Sequence, residues 1–390
     1  MDVYILDNLL RRIAVIDKYV SFIWAERYSS VGDFEWRLPT NTPHRDLLVV
    51  GAAISIAPFS NRVMIVEVVE RTRGEDGQFI IELRGFSFEK LLMNRISQKH
   101  ALAIHSGVQN ISLTTRPADI VRIMFSIICV NNADVPGDSI PFIQSSGTLT
   151  GPRSIPEPPD DLTFSFGAIT LYELFKEICD MYNMGFALLL ETDASKIYFE
   201  VYTGDDRTTL QNVNEHVIFS PLLDNVLGTT EVTSIKDYKN VAYVFGQNGS
   251  RIVYADGVDP SVSGFSRRVM TVDASDITLV PGTDLDAALD RRGQEALAKA
   301  RQIVAFDGEI PQKSEYVYGT HYRLGDIIEV RSSDGLTNMM RVVEQIFVSD
   351  AEGFRSYPGL AVDRLITPGT WLAWDASQEW VTASDYWADA

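Results

Sequence analysis

Cysteine is nearly absent: the 390-residue chain has only Cys129 and Cys179. Two thiols cannot build a disulfide scaffold or a four-thiolate zinc site. Each lies in an apolar run, "MFSIICV" and "LFKEICDMY", which reads as a buried free thiol and fits assembly in a reducing compartment. No apolar run reaches the roughly 18 residues of a membrane-spanning helix, so no transmembrane segment is expected. The N-terminal "MDVYILDNLLRR" lacks the basic start and apolar core of a signal peptide. Histidine is scarce too. His44, His100, His105, His216 and His321 are the full set, and the one close pair, His100 and His105, does not share a helical face. There is no H-E-x-x-H, no G-x-S-x-G elbow, no Walker A loop and no G-x-G-x-x-G. Positive charge is in deficit, with 34 Lys and Arg against 53 Asp and Glu and a net charge of −19. That argues against a basic groove gripping phosphates and allows an acidic wall that repels passing nucleic acid.

Carboxylates are abundant, but a glycosidase needs two of them facing each other across a cleft. The adjacent pairs Asp160–Asp161 and Asp205–Asp206 lie in turns, "RSIPEPPDD" and "YTGDDR", and read as solvated; neither has the EF-hand spacing, and a calcium ion in one of them stays the alternative. Nothing in the sequence asks for a cofactor, a metal or a catalytic residue, so the expectation is a protein that is not an enzyme.

What is plentiful is alternation. In residues 1–97, "VYILD" and "RIAVID" flank Asn8 as a hairpin, and "YVSFIWAERYS" and "DFEWRLP" follow as strands. The stretch "WAERYSSVGDFEWRLPT" concentrates Trp24, Tyr28, Phe34 and Trp36, which a ligand clamp would also use. Parity favours packing: Trp24 shares a face with Phe22 and Val20, and Trp36 with Phe34 and Leu38. Gly32 lets the connection turn tightly, Asp33 can satisfy local backbone donors and Pro39 ends the second strand. Residues 52–87 add three more strands. Residues 98–205 change to a mixed α/β pattern, with helices predicted after Pro117 and after Thr170, whose partner Glu173 completes a capping box. Residues 206–350 return to strands around an inserted loop and helix at about 247–310; that helix is predicted from a Thr283 cap to about Val304, with Leu285, Leu289, Ala296, Ala300 and Ile303 on its apolar face. Residues 351–390 form an extension with Trp371, Trp374, Trp380 and Trp387, suited to docking on a partner, to packing on its own chain or to stacking on carbohydrate.

The two β-rich ends resemble each other. A gapless shift brings Gly51 onto Gly325, Ile54 onto Ile328, Ile56 onto Val330, "PFSN" at 58–61 onto "SSDG" at 332–335, and "VVE" at 68–70 onto "VVE" at 342–344. Glycine, turn and apolar parity coincide, and parity is what a one-residue slip would destroy. The expected fold is therefore mainly β with α/β parts, with two similar tube-like antiparallel β-barrel modules and inserted mixed domains. Two like modules per chain would let three chains present six similar positions in a ring.

The strings "VYILD", "FIWAERYSSVGDFEWRLP", "MIVEVVERT" and "LRGFSFEKLLMNRI", with "YRLGDIIEV" carrying Gly325 and Asp326 far downstream, resemble a family of tail proteins of long-tailed bacteriophages, found mostly in phages of actinobacteria. The resemblance covers about residues 1–97 and 205–350. His321 departs from it, standing where an acidic residue is expected, and the tryptophan-rich end has no counterpart. It implies a trimeric baseplate hub at the distal end of the tail, assembled in the host cytoplasm and contributing two tube-like domains per subunit. The implied partners are the tail tube or distal tail protein, tip, spike or fibre proteins and the tape-measure protein, with DNA passing without specific binding. A receptor or glycan binder and a tail-associated cell-wall hydrolase are the alternatives.

Overall fold

The computed structural model describes residues 1–73, 79–97, 111–130, 136–140, 143–145, 162–191, 196–275, 285–300, 303–309, 315–331 and 337–362. One unit comprises residues 1–234 and 303–361, and a second is built on residues 235–302. Among the described residues, no helix is long and apolar enough to cross a membrane.

The first unit opens with a hairpin of β1 (Val3–Leu6) and β2 (Arg12–Ile16). Its turn is held by Asp7, whose Oδ1 accepts the N–H groups of Leu9 and Arg11 at 2.8 and 2.9 Å. β3 (Ser21–Arg27) and β4 (Asp33–Pro39) follow, antiparallel, with Trp24 opposite Phe34 and Phe22 opposite Trp36. These four rings are buried, and Phe22 meets Trp36 edge-on at 5.5 Å. Val20, expected on that face, lies outside β3 and is 49% exposed. β5 (Ala53–Ser55), β6 (Met64–Arg73) and β7 (Phe79–Ser87) complete the run.

A mixed layer comes next. It holds β8 (Ile111–Thr115), α1 (Pro117–Phe125), β9 (Ile143–Ser145), β10 (Leu162–Phe166), α2 (Leu171–Met181), β11 (Gly185–Glu191) and β12 (Lys196–Tyr202). Thr170 and Glu173 form the expected capping box of α2. Phe199 from β12 stacks on Phe125 from α1 with centroids 3.9 Å apart, and Phe175 from α2 lies 5.4 Å from it. Cys129 and Cys179 are buried in this core as free thiols, and burial pushes Cys129 up to about 12 and Cys179 higher still.

β13 (Ile218–Phe219) and β14 (Leu227–Ser234) lead to the second unit. There β15 (Val241–Gly246), β16 (Gly249–Tyr254) and β17 (Val269–Ala274) form a sheet under α3 (Leu285–Lys299). A Cβ on Gly293 would lie 2.5 Å from Val253 Cγ2, so glycine permits close contact between helix and sheet. The helix is shorter than expected. It stops at Lys299, and Ile303 opens β18 (Ile303–Glu309), which pairs with β14. The β-branched pair Ile303–Val304 has a strand partner available, and sheet pairing wins over extending the helix.

The chain ends its described part with β19 (Ile327–Arg331), β20 (Thr337–Asp350) and β21 (Gly353–Val362). The large sheet runs β14-β18-β21-β20-β3-β4-β7-β6-β5-β1-β2, with β19 also on β20 and β13 on β19. It differs from the expected pair of separate barrels: among the described residues the path is open, and one sheet spans both β-rich ends because β20 pairs directly with β3.

The two compared hairpins share a local hydrogen-bond geometry, at a register other than the gapless one. Gly51 and Gly325 have positive φ, 89° and 93°. Gly51 N–H donates to Val66 O at 2.8 Å and Val66 N–H to Ala52 O at 2.9 Å; Gly325 N–H donates to Val342 O at 2.8 Å and Val342 N–H to Asp326 O at 2.9 Å. Val66 therefore corresponds to Val342, not to Met340 as the gapless comparison has it. The second hairpin is two residues longer, and its turn at 332–335 lies outside the described residues.

Phe199→Ala should cost about 3–5 kcal/mol in urea unfolding, because it empties a ring-sized space between α1 and α2; a loss below about 1 kcal/mol would show that this layer repacks freely.

Candidate functional site

The first unit buries an ion cluster that the sequence reading did not anticipate. Glu26 lies on β3 at the same parity as Phe22 and Trp24, so the strand itself turns a carboxylate into the core. Arg62 precedes β6, and Glu89 follows β7 in a short 3-10 turn. All three are at most 3% exposed. Arg62 Nη1 donates to Glu89 Oε1 at 2.8 Å, and its Nη2 donates to the Arg27 carbonyl at 2.9 Å. Glu26 sits 3.8 Å from Arg62 Nε and accepts a bond from Trp24 Nε1 at 2.9 Å. Glu89 Oε1 also accepts the N–H of Leu188 on β11, and Leu190 N–H donates to the Asn61 carbonyl. The cluster thus ties the β3–β6–β7 run to the mixed layer.

Two carboxylates share one guanidinium here, out of water. Burial disfavours the Arg62 charge, but Glu89 and its neighbours outweigh that and hold it firmly protonated. Burial raises Glu26 above the ordinary range, with Arg62 only partly compensating. The signal available in the sequence was Glu26 itself, an acid at inward parity between two aromatics.

Beside this cluster, the strings "FIWAERYSSVGDFEWRLP" and "YRLGDIIEV" meet at Tyr28 and Gly325. Tyr28 follows β3 and donates from its OH to the Asn183 carbonyl at 2.8 Å; its own carbonyl accepts the Phe186 N–H at 3.1 Å. A Cβ on Gly185 would lie 2.3 Å from the Tyr28 ring, and one on Gly325 would lie 2.5 Å from it. A Cβ on Gly204 would come within 1.9 Å of the Gly325 carbonyl carbon. Three glycines therefore clear space for one tyrosine and one chain crossing. Asp326, next to Gly325, accepts Arg207 Nε at 2.6 Å and the N–H groups of Asp205 and Arg323 at 2.9 Å each. Burial raises its pKa, and these bonds oppose the rise. Arg341 Nη1 donates to the Gly325 carbonyl at 2.5 Å.

The other singled-out residues serve the same sheet. Phe34 and Trp36 are core rings. Gly32 has an ordinary negative-φ backbone; what excludes a side chain there is the Ala25 carbonyl, 2.4 Å from where a Cβ would stand. Asp33 pairs with the Arg27 side chain rather than with backbone donors. Pro39 closes β4 opposite Ile80. Asp206 caps the Thr208 N–H at 2.8 Å, while Asp160 and Asp161 lie outside the described residues. So do Trp371, Trp374, Trp380 and Trp387. Among the described residues, no group of three or more His, Cys, Asp and Glu is arranged to hold a metal ion.

A family model described as Siphovirus ReqiPepy6 Gp37-like protein matches residues 2–357. No curated protein matches the sequence. Solved structures share the fold nearly end to end at low identity. The tail protein from Neisseria meningitidis MC58 has a TM-score of 0.56 at 12% identity, covering 93% of this chain and 96% of that one. The 43 kDa tail protein of prophage MuSo2 from Shewanella oneidensis has 0.54 at 12%, covering 92% and 97%. Prophage tail protein gp18 from Listeria monocytogenes EGD-e has 0.50 at 11%, covering 96% and 98%.

Arg62→Ala is expected to destabilise the first unit by about 3–5 kcal/mol, since it strands two buried carboxylates. Glu26→Gln should behave differently with pH. A raised folded pKa means that the stability Glu26 contributes is present below its ordinary value of 4.5 and is lost as pH rises through the folded value. The glutamine variant should therefore gain on the parent at neutral pH and lose that gain in acid; urea midpoints whose difference does not change with pH would refute the assignment.

Proposed function

The chain belongs to the Siphovirus ReqiPepy6 Gp37-like family, and from that membership and its fold we propose that it is a structural protein of the distal phage tail, joining the tail tube to tip or fibre proteins. The observation that carries this reading is the shared fold. Three proteins named as tail proteins match it over more than nine-tenths of both chains, so the likeness concerns the whole architecture and not one common module. What has been built at the centre of the first unit fits such a role. Charge is spent on tying strands together, and glycines are spent on strand crossings, where a catalytic site would spend both on an accessible cleft.

The finer reading is a trimeric hub whose two similar β modules per chain make six like positions around a channel for DNA. The repeated Gly51 and Gly325 hairpin geometry supports it. The net charge of −19 suits a lumen that lets DNA slide without holding it. The protein acts without catalysis of its own in this reading, within the virion, after assembly in the host cytoplasm.

Labelled antibody against the protein should decorate the distal end of intact tails, and native mass measurement of the purified chain should give three copies. Decoration along the whole tube, or none, would overturn the distal assignment; another stoichiometry would overturn the trimer alone. Purified protein should leave the turbidity of host envelopes unchanged, and clearing that survives in a preparation free of other phage proteins would establish a hydrolase instead.

A further inference from the structure

Three strands of the large sheet reach one edge together. β14 ends at Ser234, opposite Ile303, where β18 begins. Two residues on, Ala305 of β18 lies opposite Ala361 of β21, and β21 ends at Val362. β14 is where the chain leaves for the second unit, which starts at Ile235, and β18 is where it returns. The sequence beyond β21 therefore departs from beside both connections. Stepping from Ala361 to Ala305, Ile303, Ser234 and Ile235 covers about 20 Å, at about 4.8 Å between strands and 3.3 Å per residue along them.

Ile235 also lines a groove. With Tyr238, Val258, Val262, Phe265 and Arg268 it bounds about 500 Å³ within the second unit. The groove is held open by its own hydrogen bonds. Buried Asn240 donates from Nδ2 to the Ser266 carbonyl and accepts the Arg268 N–H on Oδ1, both at 2.7 Å, and Arg268 Nη1 donates to the Ile235 carbonyl at 2.8 Å. Phe265, on the short turn Gly264–Ser266, is wholly exposed, and Ile235 is 46% exposed. A preformed groove walled by exposed aromatic and aliphatic side chains marks a docking surface. An aromatic wall beside a guanidinium suits an indole best, because the ring buries apolar area while its face attracts the cation.

We propose that Trp371 and Trp374 dock in this groove of their own chain. Trp371 follows Ala361 by ten residues, which span up to about 33 Å, so the connection is long enough with slack to spare. Trp380 and Trp387 lie further along, and a longer connection lowers the effective concentration of what it carries, so the nearer pair holds the groove. Charge agrees with this occupant. From Leu365 to Ala390 the charged residues are Asp375, Glu379, Asp385 and Asp389, all acidic, and Asp375 stands directly after Trp374, where it can meet Arg268. Of the three uses open to the tryptophan-rich end, this assigns the first pair to packing on the chain itself and leaves Trp380 and Trp387 for a partner or a carbohydrate. The contact stands apart from the hub reading and holds for a single chain.

The remaining two tryptophans, Trp24 and Trp36, are buried in the first unit, so fluorescence can isolate the pair. Acrylamide quenching is measured on the full chain carrying Trp380→Phe with Trp387→Phe, and the chain with all four of these tryptophans replaced by Phe serves as the blank. Trp371 and Trp374 should be shielded. Adding Phe265→Ser or Val262→Asp should raise their quenching to the level they show in urea, with an unchanged melting curve, since a wholly exposed ring contributes little to the fold. The reciprocal chain, with Trp371→Phe and Trp374→Phe, should quench freely and ignore both groove substitutions. Free quenching of Trp371 and Trp374 in the parent overturns the docking. So does shielding that neither groove substitution relieves, which would place the two rings elsewhere. Shielding that fades on dilution would put them in the groove of a neighbouring copy and overturns the contact within one chain.

Discussion

The pairing of β20 with β3 is the constraint on which the first unit depends. It joins the last described β run to the first across more than three hundred residues of chain, from Phe22 opposite Ser349 to Arg27 opposite Glu344. Such distant pairing carries a large loop-closure cost, and it persists because other contacts form at the same place. Tyr28 extends β3 by one bond to Val343 and then places its ring against Gly325. Arg62 and Glu89 fasten the next strands to β11. Backbone pairing, one aromatic seated among glycines and one buried ion cluster converge within a few residues of the same strand end.

That convergence explains the charge economy of the core. Buried ions are poor sources of stability against a well-packed apolar replacement, yet removing one partner is costly. The arrangement around Arg62 therefore penalises misassembly more than it rewards assembly. Only when β3, β6, β7 and β11 are all in place does Arg62 find Glu89, the Arg27 carbonyl and Glu26 together. A protein whose work is to hold neighbours in fixed geometry gains from such all-or-none wiring.

Strand positions and their inward faces were legible in the sequence because alternation is local. Phe22, Trp24, Phe34 and Trp36 declare the core face of β3 and β4 without any knowledge of what lies opposite. The capping box at Thr170 was legible for the same reason. The helix reaching to Val304 was not, because Ile303 and Val304 find their strand partner in β14, some seventy residues earlier in the chain. The ion cluster stayed hidden because Arg62, Glu89 and Leu188 belong to three separate segments that only the fold brings together. Among the residues singled out, Tyr28, Gly325 and Asp326 come to one place, while Gly32 has a different physical reason for being glycine from the turn it suggested.

The internal likeness shows how letters and geometry diverge. Identical "VVE" triplets draw a gapless comparison to align Val68 with Val342, whereas the hydrogen bonds of Gly51 and Gly325 align Val66 with it. The two-residue difference preserves the alternation of the letters, so a comparison by hydropathy alone does not notice it. Backbone bonding does notice, because a strand's place in a sheet is counted in bonds. Strand order is as indifferent to the letters in between: β14 and β18 pair although residues 235–302 separate them in the chain. An insertion at a strand connection leaves the order of strands untouched, which is how a sheet can keep its plan while its connections acquire other work.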